Sequence, residues 1–505
     1  MNETYILALD QGTSSSRAIL FDHAGRIVHQ VNQAFPQYYP QPGWVEHDPH
    51  DLWNSQIATA RQVLQQTRVH PSQIAALGVT NQRETTLIWD RASGVPIYPA
   101  IVWQCRRTAP LVEALRAQGW EEVIRQRTGL VLDAYFSATK ICWLLEHVPG
   151  ARRRAQQGEL AFGTVDTWLL YHLSAGRLHC TDYSNASRTM LYNIHTRQWD
   201  EEILRALDIP SALLPEVRDS SGDFGCTAPG MFEGTAIPIG GVIGDQQGAL
   251  FGQACFLPGM VKNTYGTGSF VLMHSGSQPP SLSPGLLSTI AWGIEGKLTY
   301  ALEGSIFSTG STIQWLRDAL QLLHSSAESA ALAMSVPDTN GVYFVPAFTG
   351  LGSPHWDMYA RGLLIGLSRG TTRAHIVRAG LEAMAYQTCD VLHSMMDATT
   401  VPVSLVRVDG AAAANDFAMQ FQSDMLQVPV QRPQTLETTA LGAAYLAGLA
   451  VGYWENLDHI AARWCLERTY TPQFSAARRQ QAYTAWQEAV RRSRGWAATS
   501  GEITG

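Results

Sequence analysis

Asp10-Gln11-Gly12-Thr13-Ser14-Ser15-Ser16-Arg17 places a carboxylate, a glycine, four hydroxyls and a guanidinium in one short stretch. Apolar runs flank it, Tyr5-Ile-Leu-Ala-Leu9 before and Ala18-Ile-Leu-Phe21 after. Two strands joined by such a turn make a hairpin whose backbone N–H groups can face an anion. Carboxylate, N–H cradle and hydroxyls are the parts needed to hold a magnesium–phosphate group. The plainer alternative is a polar turn capped by Asp and Ser.

Further segments carry possible chemistry. Gly240-Gly241-Val-Ile-Gly244-Asp245-Gln246-Gln247-Gly248 puts a carboxylate at the end of an apolar strand, ahead of a helix from Ala249. Carboxylates at strand C-termini of α/β folds line the ligand crevice, although Asp245 would also serve as a helix cap. The four glycines there predict a backbone kept clear for a ligand. Asn81-Gln82-Arg83-Glu84 follows the strand Ile74–Val79 and offers a donor beside an acceptor, suited to a small polyol or to a surface ion pair. In Val408–Asp416, small residues after a strand would let a flat ring lie on the backbone near Asn415; a tight strand–helix turn fits equally well. Gly366-Leu-Ser368-Arg-Gly370 matches the nucleophile elbow of serine hydrolases, with Asp390 or Asp397 and His393 or His459 as partners. Thr371-Thr372 argues against it, because an elbow enters its helix at once and the helix here begins near His375. His355, His375 and His393 lack zinc-ligand spacing.

The elements that must position these residues alternate between strand and helix, which predicts an α/β protein. Strands are expected at 5–10, 17–22, 26–32 and 74–79, and a helix over 51–67 with Asp48 or Asp51 as N-cap. Met260–Tyr265, Gly266-Thr267-Gly268 and Ser269–Met273 repeat the opening strand–turn–strand pattern. This repeat predicts duplicated domains, 1–250 and 251–505, with a cleft between them.

A chain of 505 residues exceeds one core, consistent with two domains. Its net charge of −7, with the two signs interspersed, carries no nucleic-acid footprint. Seven scattered cysteines form no C-x-x-C pair, which predicts reduced thiols in the cytosol. No leader pattern is read at the N-terminus, and Ala440–Trp454 is shorter than the ~20 residues of a membrane span. Its small residues at i, i+4 spacing instead predict close helix packing in a core.

Together these segments resemble the FGGY family of sugar and polyol kinases. The resemblance is carried by Asp10–Arg17, Pro42-Gly-Trp-Val-Glu-His-Asp-Pro49, Asn81–Thr85, Ala100-Ile-Val-Trp-Gln-Cys-Arg-Arg107 and Gly163-Thr-Val-Asp-Thr-Trp168. It continues in Gly244–Gln247, Asn263–Gly268, Pro346–Gly352, Tyr135–Lys140 with Trp143, and Gly362–Glu382, which departs from the usual pattern at Gly380. It spans nearly the whole chain. It implies two duplicated actin-like, ribonuclease H-like domains, each with a five-stranded mixed sheet, closing on a nucleotide. The implied reaction transfers a phosphoryl group from ATP to glycerol, giving sn-glycerol 3-phosphate, in glycerol uptake and catabolism.

Residue roles follow from the resemblance. Thr13, Ser14, Ser15 and Arg17 would meet the phosphates, Thr267 would grip them from the opposite domain, and Asp10 with Asp245 would hold Mg2+. Gly310, Gln314, Ala411 and Asn415 would border adenosine; members usually carry Gly where Ala411 stands. Thr13, Arg83, Glu84, Trp103, Tyr135, Asp245, Gln246 and Phe270 would hold glycerol, the rings of Trp103 and Phe270 covering its C–H face. Asp245 is the implied general base. A cytoplasmic homodimer or homotetramer, with no nucleic-acid partner and no stable membrane insertion, completes the expectation. A loop that binds a sugar bisphosphate in some members corresponds to Phe232-Glu-Gly-Thr-Ala236, where Ala236 replaces an arginine.

Overall fold

A computed structural model describes residues 3–399 and 401–499. Its first sheet runs, in spatial order, Ile239–Gly244, Ile74–Asn81, Tyr5–Gln11, Ser15–Phe21 and Ile27–Ala34. The first three strands are parallel and the last two antiparallel. Tyr5–Gln11 is buried along its whole length, as expected of a strand covered on both faces. The hairpin register sets Asp10 opposite Arg17.

The second sheet has the order Leu287–Ile294, Lys297–Ile306, Ser269–Gly276, Met260–Tyr265, Leu405–Asp409, Val430–Pro433 and Leu466–Tyr470. Its five middle strands repeat the order and directions of the first sheet. The repeat seen in two hairpins therefore extends to whole sheets. The expected five strands hold for the first sheet only. In the second, Leu287–Ile294 and Leu466–Tyr470 each add an antiparallel strand to an edge, covering backbone groups that an open edge would leave unpaired.

Helix Pro49–Thr67 begins where Asp48 accepts a hydrogen bond from the His50 N–H. Proline at its first position needs no donor there. Helix Thr438–Ala450, with almost every residue buried, lies at backbone contact with helix Asp245–Gly252 and with the first sheet. A Cβ on Gly442 would fall on the Gly248 carbonyl, and one on Gly78 on the Ala443 carbonyl. This corrects the reading of the glycines before residue 250. Gly240 and Gly241 are kept clear by Ala447, Gly248 by Thr439, and Gly244 by the Arg83 side chain, not by a ligand.

The hydrolase reading also fails. Ser368 is exposed, its Oγ is met by Asn340 Nδ2 at 3.3 Å, and the following helix starts only at Arg373. Asp390 instead accepts from Tyr483 Oη (2.6 Å) and Trp486 Nε1 (2.8 Å). All seven cysteines are unpaired. Among the described residues no helix is long and apolar enough to cross a membrane.

Candidate polyol and phosphate site

Arg83 and Glu84 follow the strand Ile74–Asn81, and both are buried. They are not a surface ion pair: Arg83 Nε is 3.8 Å from Glu84, and each residue has a stronger partner elsewhere. Arg83 donates to both oxygens of Glu303, at 2.6 and 2.9 Å, and to Gln247 Oε1 at 3.0 Å. Arg188 donates to Glu84 Oε1 at 2.6 Å and reaches Glu303 at 3.2 Å. Two cations and two anions thus form a buried set, which Asp245 borders at Arg83 Nε. Burial opposes the charge on Glu303, but Arg188 and Arg83 prevail and hold its carboxyl down at about 2. Glu84 is pushed up by burial, with Arg188 and Arg83 opposing. Among the described residues no donor reaches Glu84 Oε2.

Glu84 has φ of 62°, a left-handed conformation that a β-carbon disfavours. Its carbonyl is held by Ser137 Oγ (3.1 Å) and Lys140 Nζ (3.2 Å). The same ammonium donates to the Tyr135 carbonyl at 2.6 Å. The Lys140 ammonium is pushed down to about 7 by burial. The Tyr135 ring meets Trp103 edge-on at 5.5 Å, and Trp103 Nε1 donates to Thr13 Oγ1 at 3.0 Å. The structure therefore links Thr13, Trp103, Tyr135, Glu84 and Arg83.

Asp245 is the first residue of its helix, at the C-terminal end of strand Ile239–Gly244. Its Oδ1 accepts from the Gln246 N–H at 2.7 Å and stands 3.2 Å from Arg83 Nε. Its side chain is 30% exposed, and among the described residues its hydrogen bond goes to Oδ1 and none to Oδ2. A half-open carboxylate with one oxygen anchored and one free can accept a proton from a bound hydroxyl. Gln246 and Phe270 meet through Lys262, which donates to Gln246 Oε1 and to the Phe270 carbonyl.

Both hairpin turns are closed by their own backbones. The Gly12 N–H donates to the Ser15 carbonyl at 3.0 Å, and Gly266 N–H to the Gly268 carbonyl at 2.8 Å. Ser14 and Thr267 are exposed, and Thr13 and Ser15 half-buried. Arg17 pairs with Glu437 at 2.6 Å and lies 3.3 Å from Asp10 Oδ2. Burial pushes the Asp10 carboxyl up to about 6; Arg17 opposes this, while Glu437 and Asp245 add to it. Asp10 Oδ2 is buried without a hydrogen-bond donor. A desolvated carboxylate facing other carboxylates suits a divalent cation that takes few protein ligands and completes its shell with phosphate and water. Among the described residues no cluster of three or more metal-binding side chains exists, so such a cation would rest on Asp10 and Asp245 plus substrate.

Asp10 carries a testable consequence. Because its folded value lies above the ordinary 3.8, the ionised form weakens the fold above about pH 6, and the penalty fades as pH falls toward 3.8. Asp10→Asn is expected to keep or raise the melting midpoint at pH 8 while lowering kcat/KM for MgATP at least about tenfold. Thermal melts and a coupled turnover assay check both halves. A lowered midpoint with intact turnover would reverse the assignment.

The residues expected near adenosine are less concentrated. Gly310 starts helix Gly310–Asp318, where a Cβ would strike the Gly266 carbonyl, so its glycine is explained by packing on the second hairpin. Gln314, on that helix, is exposed, as is Ala411 at the start of a short 3-10 turn. Asn415 caps helix Asp416–Leu426 by accepting from Ala418 N–H at 3.0 Å, and it donates to Ser329 Oγ at 3.1 Å. Its amide therefore has structural work of its own. Glu303, Arg188, Lys262 and Glu437 escaped the sequence reading. Glu303 alone left a signal, a lone charged residue in the strand-like segment Leu298–Ile306.

The loop at 232–236 turns on Glu233, at φ of 48°, with Glu233 and Ala236 exposed. The loop itself offers a bisphosphate an acid and no arginine of its own, the usual charge-assisted partner of phosphate. Fructose 1,6-bisphosphate is accordingly expected to leave turnover unchanged; strong micromolar inhibition would contradict this.

Two sheets that share one five-strand topology, each opening on a glycine–hydroxyl hairpin turn, define the two-domain, actin-like fold class. Residues 5–252 match the N-terminal domain, and 261–451 the C-terminal domain, of the FGGY family of carbohydrate kinases, and the chain belongs to that family. It is 59% identical over 492 residues to glycerol kinase 2 of Thermotoga maritima, covering 97% of this chain and 99% of that one. It is 59% identical over 498 residues to glycerol kinase of Symbiobacterium thermophilum, covering 99% and 100%. Its fold superposes on the crystal structure of Plasmodium falciparum glycerol kinase with ADP with a TM-score of 0.92, at 35% identity, covering 97% of this chain and 98% of that one.

Proposed function

We propose that this chain phosphorylates glycerol with ATP, giving sn-glycerol 3-phosphate and ADP. The observation that carries the reading is the half-open Asp245 carboxylate, anchored through Oδ1 beside the buried Arg83–Glu84 pair. The names of the close relatives point the same way. Polar groups Arg83, Glu84, Tyr135 and Gln246 read hydroxyls as donors and acceptors, and the rings of Trp103 and Phe270 meet the carbons. Asp245 Oδ2 takes the proton of the attacking hydroxyl as the new O–P bond forms and the bond from the γ-phosphorus to the ADP oxygen breaks.

Thr13, Ser14, Ser15 and Arg17 would orient the phosphates from one hairpin and Thr267 from the other, with Gly310, Gln314, Ala411 and Asn415 bordering adenosine. Asp10, with Asp245, would hold Mg2+, whose chemistry there is to offset charge on the phosphate oxygens. A cytoplasmic homodimer or homotetramer fits the reading. The domain division at 250 belongs to it as well. ADP release measured over glycerol, dihydroxyacetone, erythritol, xylulose and gluconate tests the substrate. Glycerol is expected to give the highest kcat/KM; a higher value for xylulose or gluconate would move the chain to another branch of the family.

A further inference from the structure

We propose that Lys262 is a positioning residue, fixing the amide of Gln246 and the main chain of Phe270 so that the two halves of the polyol pocket stay in register. Lys262 lies on Met260–Tyr265, the central strand of the second sheet, and its side chain is fully buried. Its Nζ donates to Gln246 Oε1 at 2.6 Å, Thr264 Oγ1 at 3.0 Å and the Phe270 carbonyl at 3.2 Å. An ammonium has three N–H groups and no acceptor, so these bonds use it completely. Gln246 belongs to the first half of the chain and Phe270 to the second, so one side chain joins both.

The chemistry of the lysine decides how Gln246 faces the pocket. An ammonium can meet only the amide oxygen, so the Nε2 group is left as the donor toward the polyol. Without Lys262 the terminal amide torsion has a broad, roughly two-fold preference, and the amide turns over freely. Burial also pushes the Lys262 ammonium down to about 8, against Asp409, Asp245 and Glu303. Among the described residues no carboxylate lies within ion-pair distance of it. A buried cation without a counter-ion is a poor way to stabilise a fold. Its place between two pocket residues gives it a use.

The inference rests on the glycerol reading, so wild-type turnover on glycerol is measured in the same series. Lys262→Met is expected to raise the glycerol KM about tenfold or more, as for a lost bond to a charged group. The ATP KM should stay within about twofold, and the melting midpoint should hold or rise. Wild-type discrimination between glycerol and 1,2- or 1,3-propanediol should narrow about tenfold for the analogue lacking the hydroxyl that Gln246 reads. Lys262→Met added to Gln246→Ala should change the glycerol KM far less than it does alone. If Lys262→Met gives no folded protein, Lys262→Gln carries the test with the same outcomes. An unchanged glycerol KM, or equal losses toward glycerol and ATP with additive double-variant effects, overturns the role of Lys262. Absence of wild-type turnover on glycerol overturns the substrate reading itself.

Discussion

Asp245→Asn is expected to lose between about 10² and 10⁴ of kcat, the usual contribution of a positioned general base. Asparagine keeps an oxygen for the two interactions that anchor Oδ1, with the Gln246 N–H and Arg83 Nε. What it removes is the free Oδ2, replaced by an amide nitrogen that cannot take a proton. Shape and anchoring survive, so nucleotide binding should be retained. Single-turnover measurements, with equilibrium binding of an ATP analogue, separate the two effects. Turnover within a few-fold of wild type would remove Asp245 from the role of base.

Glu303→Ala is expected to destabilise the protein by roughly 3–5 kcal/mol, because two buried guanidinium groups are left with Glu84 as their only fully buried carboxylate. Arg83 loses both of its bonds to Glu303, and Arg188 loses its 3.2 Å contact. Since Arg83 also stands beside Asp245, the glycerol KM should rise together with the loss of stability. The pH dependence has a definite sign. Glu303 is held at about 2 in the folded chain against an ordinary 4.5, so its stabilisation is present above pH 4.5 and is lost as pH falls toward 2. Urea unfolding of wild type and Glu303→Gln, compared across that window, should show the wild type losing its advantage. Parallel curves would mean that Glu303 does not carry this charge.

The opening hairpin, its twin at Gly266-Thr267 and the alternating elements were legible because each is written in local pattern. Strand–turn–strand needs only neighbouring residues, and the observed strands Tyr5–Gln11, Ser15–Phe21 and Met260–Tyr265 follow the expected ones closely. Arg83 and Glu84 were legible as polar residues at a strand end, but not their partners. Glu303 and Arg188 lie more than a hundred residues away from at least one group they neutralise, a relation only the tertiary fold creates. The glycines at 240, 241 and 248 show the limit of such reading. A glycine signals close approach, but not whether a ligand or a helix approaches, and here Thr438–Ala450 does. The two extra strands of the second sheet left no signal in the duplicated hairpin because they lie outside the repeated unit.

A pocket that commits the γ-phosphate to glycerol must keep it from water. Closure of the two domains over the polyol would make that distinction possible. The direct test is ADP formation with and without glycerol, with the phosphorylated product identified by 31P NMR. One sn-glycerol 3-phosphate per ADP is expected, with ATP hydrolysis at least about 100-fold slower when glycerol is absent. Equal ADP release in both conditions, or ADP without phosphorylated glycerol, would contradict it.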